Sequence, residues 1–486
     1  MSLNFTDKSW STLVILSSIG LTVMYIETMV APALPDFIKD FNISYSTAPW
    51  ILTSYLVVAV VMTPIMGSLS DMYGRRRILL TGLVIYALGT FAAGFATNIY
   101  FMLIARAVQG VGIGIFPVAV AIVRNQSTEK RLAFNQGIIT SMFATGAVIG
   151  LAAGGTIIHY LGWRATFFTI LPMIIILIVL VWRYIYDNGD DNIKSNHNCD
   201  SKLTIDNRAS HIKFRVDIKG AIVFSIGITS ILLVITNVDD KMSPDDWIVI
   251  GILSLIGIIS LSAFYRIENK VPFPLINFRL VLSNTLLSAN ILRMMAGLFM
   301  FAILNTMPIL IRNPKPTGFG ESAINTASII VPFMLAYLIV GLSSGFILSK
   351  LGNIRVIFVG SVISAIGFTT LALFFHSFAP LLAGLAILGI GSQMLHQGAI
   401  NINLVSTPKH QTGISFGISN VFYLMGSAIG PTIVGMYMQS NQVTINGIVG
   451  SFPSSQSYVL IFSTGIALSL LTIIMDIYIL NNKKNS

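Results

Sequence analysis

The stretch GSLSDMYGRRR, from Gly67 to Arg77, decides the fold because it places charge between two long apolar runs. The runs Trp50–Leu69 and Ile78–Ala96 are each about as long as a helix that crosses a bilayer. The stretch therefore predicts a tight turn at a membrane face. Gly67 and Gly74 suit such a turn, because a residue without a Cβ atom allows close helix approach and positive φ.

The same pattern returns in the second half of the chain. The stretch GFILSKLGNIRVIFVGSVISAIG, which begins at Gly345, aligns without a gap on GSLSDMYGRRRILLTGLVIYALG, and Ser349 takes the place of Asp71. A second match pairs GAVIGLAAGG from Gly146 with GSAIGPTIVG from Gly426 at nearly the same offset. Two matches at one separation predict a duplicated membrane unit, which is the usual plan of secondary transporters.

The composition supports a membrane protein and excludes a soluble enzyme. The chain has 486 residues, of which 54% are hydrophobic and 10% are charged, whereas a soluble protein carries roughly 25% charged residues. The net charge of +10 fits positive loops on one membrane face better than a nucleic-acid partner. Cys199 is the only cysteine, the histidines show no metal-ligand spacing, and no GxxxxGK[ST] loop is present. We therefore expect no metal, no cofactor and no use of ATP.

Fourteen apolar segments are long enough to span a bilayer as helices. The predicted spans 1 to 14 are Ser11–Ala33, Trp50–Leu69, Ile78–Ala96, Ile99–Val123, Phe134–Tyr160, Ala165–Ile185, Asp217–Asn237, Trp247–Tyr265, Asn284–Ile311, Ala323–Ser349, Arg355–Phe375, Pro380–Leu404, Thr412–Gln439 and Tyr458–Leu480.

The repeats and the polar segments divide the chain into four parts. Residues 1–186 form an N-terminal six-helix half, 187–216 a polar cytoplasmic linker, 217–266 an inserted helix pair, and 267–486 a C-terminal six-helix half. Most Lys and Arg residues lie in loops on the side of the termini. This bias predicts a plasma-membrane protein with both termini in the cytoplasm.

These motifs together resemble the major facilitator superfamily, specifically its 14-span drug:proton antiporter branch. GSLSDMYGRRR matches the family's loop 2–3 signature, RAVQGVGIGIFP from Arg106 matches its span 4 signature, and TMVAPALP from Thr28 resembles the end of span 1. GAVIGLAAGG resembles the antiporter signature of span 5, although Leu151 stands where that pattern has proline; the second repeat carries Pro431 at the equivalent place.

The resemblance implies an all-α major facilitator fold with two six-helix repeats, an inserted helix pair and 14 transmembrane helices. It implies a monomer in which the two halves rock about a central cavity and expose it to each side in turn. It also implies export of amphipathic, often cationic compounds, driven by inward flow of protons.

Two ionisable groups in the first half are candidates for coupling, because charges within spans are costly and are usually functional. Glu27 lies roughly 9 Å from the end of span 1, and Arg106 lies about 10 Å inside span 4. Since spans 1 and 4 line the cavity in the family, Glu27 could bind a proton or a cationic substrate. Arg106 and Gln109, which lie one turn apart, could adjust the affinity of Glu27 for that proton or substrate. The alternatives are a static pair and a carboxylate that extends to the interface.

Two further side chains lie deep within the second half. Arg293, near the middle of span 9, could bind an anionic substrate or could pair structurally with Glu27 or a helix end. His396 in span 12 could titrate near neutral pH, but a hydrogen-bonded packing histidine is the favoured interpretation.

The remaining candidates concern conformational change. Asp71 ends span 2, where its own helix dipole disfavours it, so its partner is expected elsewhere. In the family that this chain resembles, span 2 faces the penultimate span, and the resemblance therefore implies that Asp71 contacts the N-terminus of span 13 as a gate. Arg75 and Arg77 could hold it there. The simpler alternative is a positive anchor that only sets topology. In span 5 a second set of residues forms small-xxx-small faces that allow close helix packing: Gly146, Gly150, Gly154 and Gly155.

Three classes of function remain open at this point. The favoured class is a proton-coupled exporter of amphipathic, cationic drugs or toxic compounds. The second is a proton-coupled carrier dedicated to a single metabolite, for which Arg293 favours an anion. The third is a sensor that kept the fold but lost transport, and the intact loop 2–3 and span 4 signatures argue against it.

Overall fold

A computed structural model of the protein describes residues 7–116, 118–119, 122–123, 129–185, 217–237, 244–271, 278, 284–407 and 412–484. The predicted linker, with Cys199, lies outside the described residues. In the described part of the chain, twelve helices are long and apolar enough to cross a membrane. Two shorter apolar helices, Ile99–Ile113 and Lys219–Ile235, occupy the places predicted for spans 4 and 7.

The helices follow the predicted order, and we number them as spans 1 to 14. They run Asp7–Met29, Trp50–Tyr73, Arg75–Gly94, Ile99–Ile113, Glu129–Leu161, Trp163–Tyr184, Ile218–Thr236, Pro244–Glu268, Asn284–Arg312, Ala323–Leu351, Asn353–Phe374, Phe378–Ser406, Thr412–Ser440 and Ser455–Lys484. An even number of crossings brings both chain ends to one membrane face, which we call the terminal face; the other is the distal face.

Two elements differ from the sequence prediction. Span 1 does not end the helical structure, because a 3₁₀ turn at Ala31–Ala33 leads into a short helix, Leu34–Phe41. Each of these two elements has a proline in its first turn. Proline is tolerated there because the backbone N–H groups of a first turn have no acceptor within the helix. A small antiparallel hairpin that the sequence did not predict, Gln442–Thr444 with Ser451–Pro453, joins spans 13 and 14.

The packing repeats between the two halves of the chain. Span 1 packs against span 5 and span 3 against spans 4 and 6, just as span 9 packs against span 13 and span 11 against spans 12 and 14. The halves meet where span 5 contacts span 10 and where span 2 contacts span 13. Of the inserted pair, span 7 contacts spans 2 and 13, and span 8 packs on span 7.

The glycines of span 5 lie at two different helix contacts. A Cβ atom added at Gly146, Gly150 or Gly154 would lie 2.2, 2.2 or 2.4 Å from a carbonyl oxygen of span 1. A Cβ at Gly155 would lie 2.4 Å from the Cβ of Ala327 in span 10. Three glycines therefore let spans 1 and 5 approach within one half, and the fourth lies between the halves.

The turn that defines the repeat has the same backbone in both copies. Gly74 has φ of +94° and Gly352 has φ of +76°, values that side chains other than glycine rarely adopt. Gly67, by contrast, lies within span 2, and no atom of the described residues lies within 4 Å of an added Cβ. The close approach expected at Gly67 is therefore absent from this conformation.

The charged residues of this turn are only partly described. Arg76 donates a hydrogen bond to the carbonyl oxygen of Trp182 in span 6, Arg75 is half-buried and Arg77 is exposed. The Asp71 side chain lies outside the described part of the structure. Span 2 does pack against span 13, but the gate at Asp71 stays a prediction.

Candidate functional site

Two buried charges of the first half lie close to one another. Glu27 in span 1 is 6% exposed and Arg106 in span 4 is 1% exposed, so Glu27 does not extend to the interface. The Arg106 Nε donates to the carbonyl oxygen of Ile51 at 2.9 Å. Its guanidinium carbon also lies 4.0 Å from the centre of the Tyr55 ring, a cation–π contact between spans 2 and 4.

A chain of hydrogen bonds fixes the Arg106 side chain. Its Nη1 donates to the Gln109 Oε1, the Gln109 Nε2 donates to the Thr90 Oγ1 at 2.8 Å, and the Thr90 hydroxyl donates to the carbonyl oxygen of Tyr86 at 2.7 Å. The guanidinium is thereby joined to spans 2, 3 and 4. Gln109 acts as a link in this network, and it does not line the cavity described below.

The Glu27 carboxyl lies near groups from both halves of the protein. Arg106 and Tyr55 of the first half interact with it electrostatically, and so does Tyr423 of span 13. In the described residues no ion pair of 4.0 Å or less joins Glu27 to Arg106 or to Arg293. Glu27 is therefore a buried acid between the halves that interacts with one cation, Arg106, without forming an ion pair with it.

A cavity lies between the halves. Spans 1 and 5 of the first half and spans 9, 10, 12 and 13 of the second contribute side chains to it. Its walls are mainly aromatic and thioether groups: Phe116, Phe143, Phe416, Met24 and Met300. Among the described residues no Asp or Glu lines it, whereas Arg293 does.

Arg293 has few partners for a buried cation. It is 3% exposed, and its Nη2 donates to the Asn420 Oδ1 at 3.2 Å. Its Nε and Nη1 have no hydrogen-bond acceptor in the described structure. The guanidinium carbon lies 5.1 and 5.7 Å from the ring centres of Phe416 and Tyr423. The structural pairing with Glu27 that the sequence left open is therefore not formed.

His396 stands beside Arg293 on the cavity wall. Its ring packs edge-on against Tyr423, with ring centres 4.8 Å apart, and its Nδ1 has no hydrogen-bond partner in the described residues. The Tyr423 hydroxyl donates to the Met300 Sδ at 3.3 Å. The Gln393 Oε1, also on the wall, lacks a partner. The histidine therefore packs against an aromatic ring, and its Nδ1 forms no hydrogen bond in the described structure.

Sequence reasoning missed a second buried acid. Asp476 in span 14 is fully buried, its Oδ2 accepts a hydrogen bond from the Ser361 Oγ at 2.8 Å, and its Oδ1 has no partner in the described structure. The rule that singled out Glu27 applies equally to Asp476, because it lies within predicted span 14. It packs between spans 11 and 14 and does not line the cavity. Asn420 and Tyr423 were missed because nothing in their spacing marks them as cavity residues.

The model of the Major Facilitator Superfamily matches residues 16–292 and 289–484, which is almost the whole chain. The chain belongs to this superfamily. Its relatives include the multidrug transporter protein MdtP of Bacillus subtilis, 27% identical over 85% of this chain and 72% of the relative. The multidrug efflux pump LfrA of Mycolicibacterium smegmatis is 25% identical over 88% of this chain and 80% of the pump.

Solved structures support the same fold. The D-xylose-proton symporter aligns with a TM-score of 0.66 at 13% identity, covering 95% of this chain and 97% of that one. The human organic anion transporter MFSD10 aligns with a TM-score of 0.63 at 12% identity, covering 97% and 100%. These similarities confirm the predicted architecture of a multi-pass helical membrane protein built on the major facilitator fold.

Proposed function

We propose that the protein exports amphipathic compounds from the cell in exchange for protons, by alternating access. The similarity to the multidrug transporter protein MdtP and to the multidrug efflux pump LfrA supports export of such compounds. The Lys/Arg bias supports a cytoplasmic terminal face in the plasma membrane. The cavity between the two halves is the place where the transported compound binds.

The position of Glu27 is the observation that carries the proton part of the proposal. The carboxyl is buried in the first half, yet it interacts electrostatically with Tyr423 of the second half. A proton that binds there removes a charge at the boundary between the halves, and so changes the relative energies of two arrangements of the halves. Because Arg106 is fixed by its own acceptors and does not contact Glu27 directly, the acid can change its charge without losing an ion pair.

The contacts on the distal face show what alternating access has to break. Arg312, at the end of span 9, donates to both carboxylate oxygens of Asp36 at 2.5 and 2.6 Å, and to the carbonyl oxygen of Pro32 at 3.1 Å. Gly155 packs against span 10, and Gly435 packs against Pro49 at the start of span 2. These contacts join the halves at the distal face, so a state open to that side requires their separation.

The test uses the substitution Glu27→Gln, which keeps the shape of the side chain and removes its charge. In proteoliposomes with an acidic lumen, the wild-type protein should accumulate amphipathic dyes, while the variant should accumulate them no better than liposomes without protein. Glu321→Gln is the matched control, because Glu321 lies in a loop outside the cavity and should be replaceable without effect. Wild-type accumulation by the Glu27→Gln protein would contradict the proposal.

The second candidate, a carrier for one anionic metabolite, is favoured by one observation. Arg293 lines the cavity with two nitrogens that lack acceptors in the described residues. The breadth of the substrate range separates this candidate from a drug exporter. Accumulation of one dye alone from a chemically diverse panel would favour the dedicated carrier.

A further inference from the structure

We infer that the cavity binds amphipathic organic anions and that Arg293 binds the anionic group. This inference rests on the proposed function only in taking the cavity as the place where the transported compound binds. It reverses the sign of charge that the family resemblance led us to expect for the substrate.

The charge of the cavity wall is the first argument. Among the described residues that line it, Arg293 carries a full positive charge and no carboxylate faces it. A buried guanidinium without a counter-charge is costly in a membrane protein. An anionic ligand relieves this cost, whereas a cationic ligand adds repulsion in a medium of low dielectric constant. The wall therefore selects against cations as well as for anions.

The hydrogen-bonding capacity of Arg293 is the second argument. A guanidinium carries five N–H donors, and the protein supplies one acceptor, the Asn420 Oδ1. Nε and Nη1 have no acceptor in the described structure. These nitrogens can donate to the oxygens of a carboxylate, sulfonate or phosphate, and such charge-assisted bonds are about twice as strong as neutral ones.

Arg106, which is also buried within a span, has more partners than Arg293. It has a carbonyl oxygen, an amide oxygen and the Tyr55 ring as partners, and the Glu27 charge lies nearby, although its Nη2 lacks an acceptor in the described structure. It does not line the cavity. What distinguishes Arg293 is that its unsatisfied nitrogens belong to a side chain of the cavity wall, where a ligand can complete the hydrogen bonding.

The rest of the wall fits the apolar part of such a ligand. The aromatic and thioether side chains named above offer flat and adaptable apolar surface to such a ligand. The His396 Nδ1 has no partner in the described residues, and it can donate to an anionic headgroup when it carries the ring proton.

Separate sites for the proton and the anion have a consequence for coupling. Glu27 does not line the cavity, so proton and substrate do not compete for one carboxylate. Exchange is then imposed by the movement of the halves, which exposes both sites to the same side in turn. In a cell that is negative inside, the membrane potential also drives an anion outward.

The test compares three ligands that share one aromatic skeleton. Naphthalene carboxylate, naphthalene carboxamide and the naphthylmethylammonium ion are titrated by calorimetry into the full-length protein in nanodiscs of phosphatidylcholine, so that no anionic lipid competes. We expect the carboxylate to bind most tightly and the ammonium ion most weakly. Equal or tighter binding of the ammonium ion overturns the inference without the need for any variant.

Variants then locate the site. Arg293→Gln should weaken binding of the carboxylate roughly 10- to 100-fold, the usual loss for a charge-assisted hydrogen bond, while Arg293→Lys should retain part of the affinity. Arg164→Gln is the matched control, because Arg164 is exposed and lies outside the cavity. Unchanged carboxylate binding by a folded Arg293→Gln protein overturns the inference.

The outcome for the inference is separable from that for the proposed function. Carboxylate binding that depends on Arg293, in a protein that accumulates no dye in response to a pH gradient, supports the anion site and contradicts proton exchange. Proton-driven accumulation by a protein whose ligand binding ignores Arg293 supports the proposed function and contradicts the anion site.

Discussion

The two halves of the protein each bury an arginine in the membrane, but they surround it differently. Arg106 in the first half has a carbonyl oxygen, an amide oxygen and an aromatic ring as partners, with an acid nearby. Arg293 in the second half has one amide oxygen and borders a cavity. The difference indicates that Arg106 stabilises the fold, whereas Arg293 is available to a ligand.

The comparison extends to the acids. Glu27 lies near Arg106 without forming an ion pair, and it also interacts with Tyr423 of the second half. Arg293 has no carboxylate in ion-pair distance in the described structure. We propose that Glu27 of the first half binds the proton and that Arg293 of the second half binds the anionic substrate. The second half also buries an acid, Asp476, but that side chain lies away from the cavity. The two halves share one pattern of helix packing, so the proposed division of tasks rests on differences between their side chains.

The largest effect on stability is expected when Arg106 is replaced, and the same replacement of Arg293 is the comparison. Arg106→Gln should lower the free energy of unfolding by about 3–5 kcal/mol, as is usual when one partner of a buried charged network is lost. Arg293→Gln should cost much less, because few protein groups depend on it. Thermal unfolding of the purified variants checks this, and equal destabilisation by both would remove the distinction between the two arginines.

A smaller effect is expected at the glycines, where two positions in the first half differ in the space around them. Gly150→Ala should destabilise the protein by about 1–3 kcal/mol, the range for overpacking, because its Cβ would lie 2.2 Å from a carbonyl oxygen of span 1. Gly67→Ala is the control, since the space around it is open. Unfolding midpoints measured together test the pair, and a destabilising Gly67→Ala would show that a second conformation uses that glycine.

The smallest effect should be a change in the balance of conformations. The Arg312–Asp36 pair is partly exposed, so its loss should be worth about 0.2–1 kcal/mol. Arg312→Gln should therefore enrich the state open at the distal face by up to about fivefold. Spin labels on the distal ends of spans 2 and 9, in a Cys199→Ser background, report the distance distribution. An unchanged distribution would mean that the pair does not hold the halves together.

Sequence reasoning recovered the elements of the fold better than it recovered the site. Helix number and order follow from apolar length and from repeated motifs such as the Gly74 turn, which are local signals. The hairpin after span 13 was missed because its strands are three residues each, too short for any periodicity. Apart from Gln109, the partners of Arg106 come from span 2, and the acceptor of Arg293, Asn420, comes from span 13. No local pattern in the sequence records contacts between spans.

The same limit explains the individual site predictions. The depth of Glu27 and Arg106 could be read from the sequence, and their proximity followed from it. Asp476 could have been found by the same rule. The sequence left the sign of charge on the substrate open, because Arg293 favoured an anion and the family resemblance favoured a cation. That sign depends on which side chains face the cavity, and Tyr423, Asn420 and Gln393 are placed there only by the packing of spans 12 and 13.

Counterflow in proteoliposomes most directly tests the division of tasks between the halves. Liposomes loaded with unlabelled naphthalene carboxylate, with no pH gradient, should take up the labelled compound through the wild-type protein. Glu27→Gln should retain this exchange while losing pH-driven accumulation, because the substrate site is intact. Arg293→Gln should lose both. Loss of counterflow in Glu27→Gln, or its retention in Arg293→Gln, would contradict separate sites for proton and substrate.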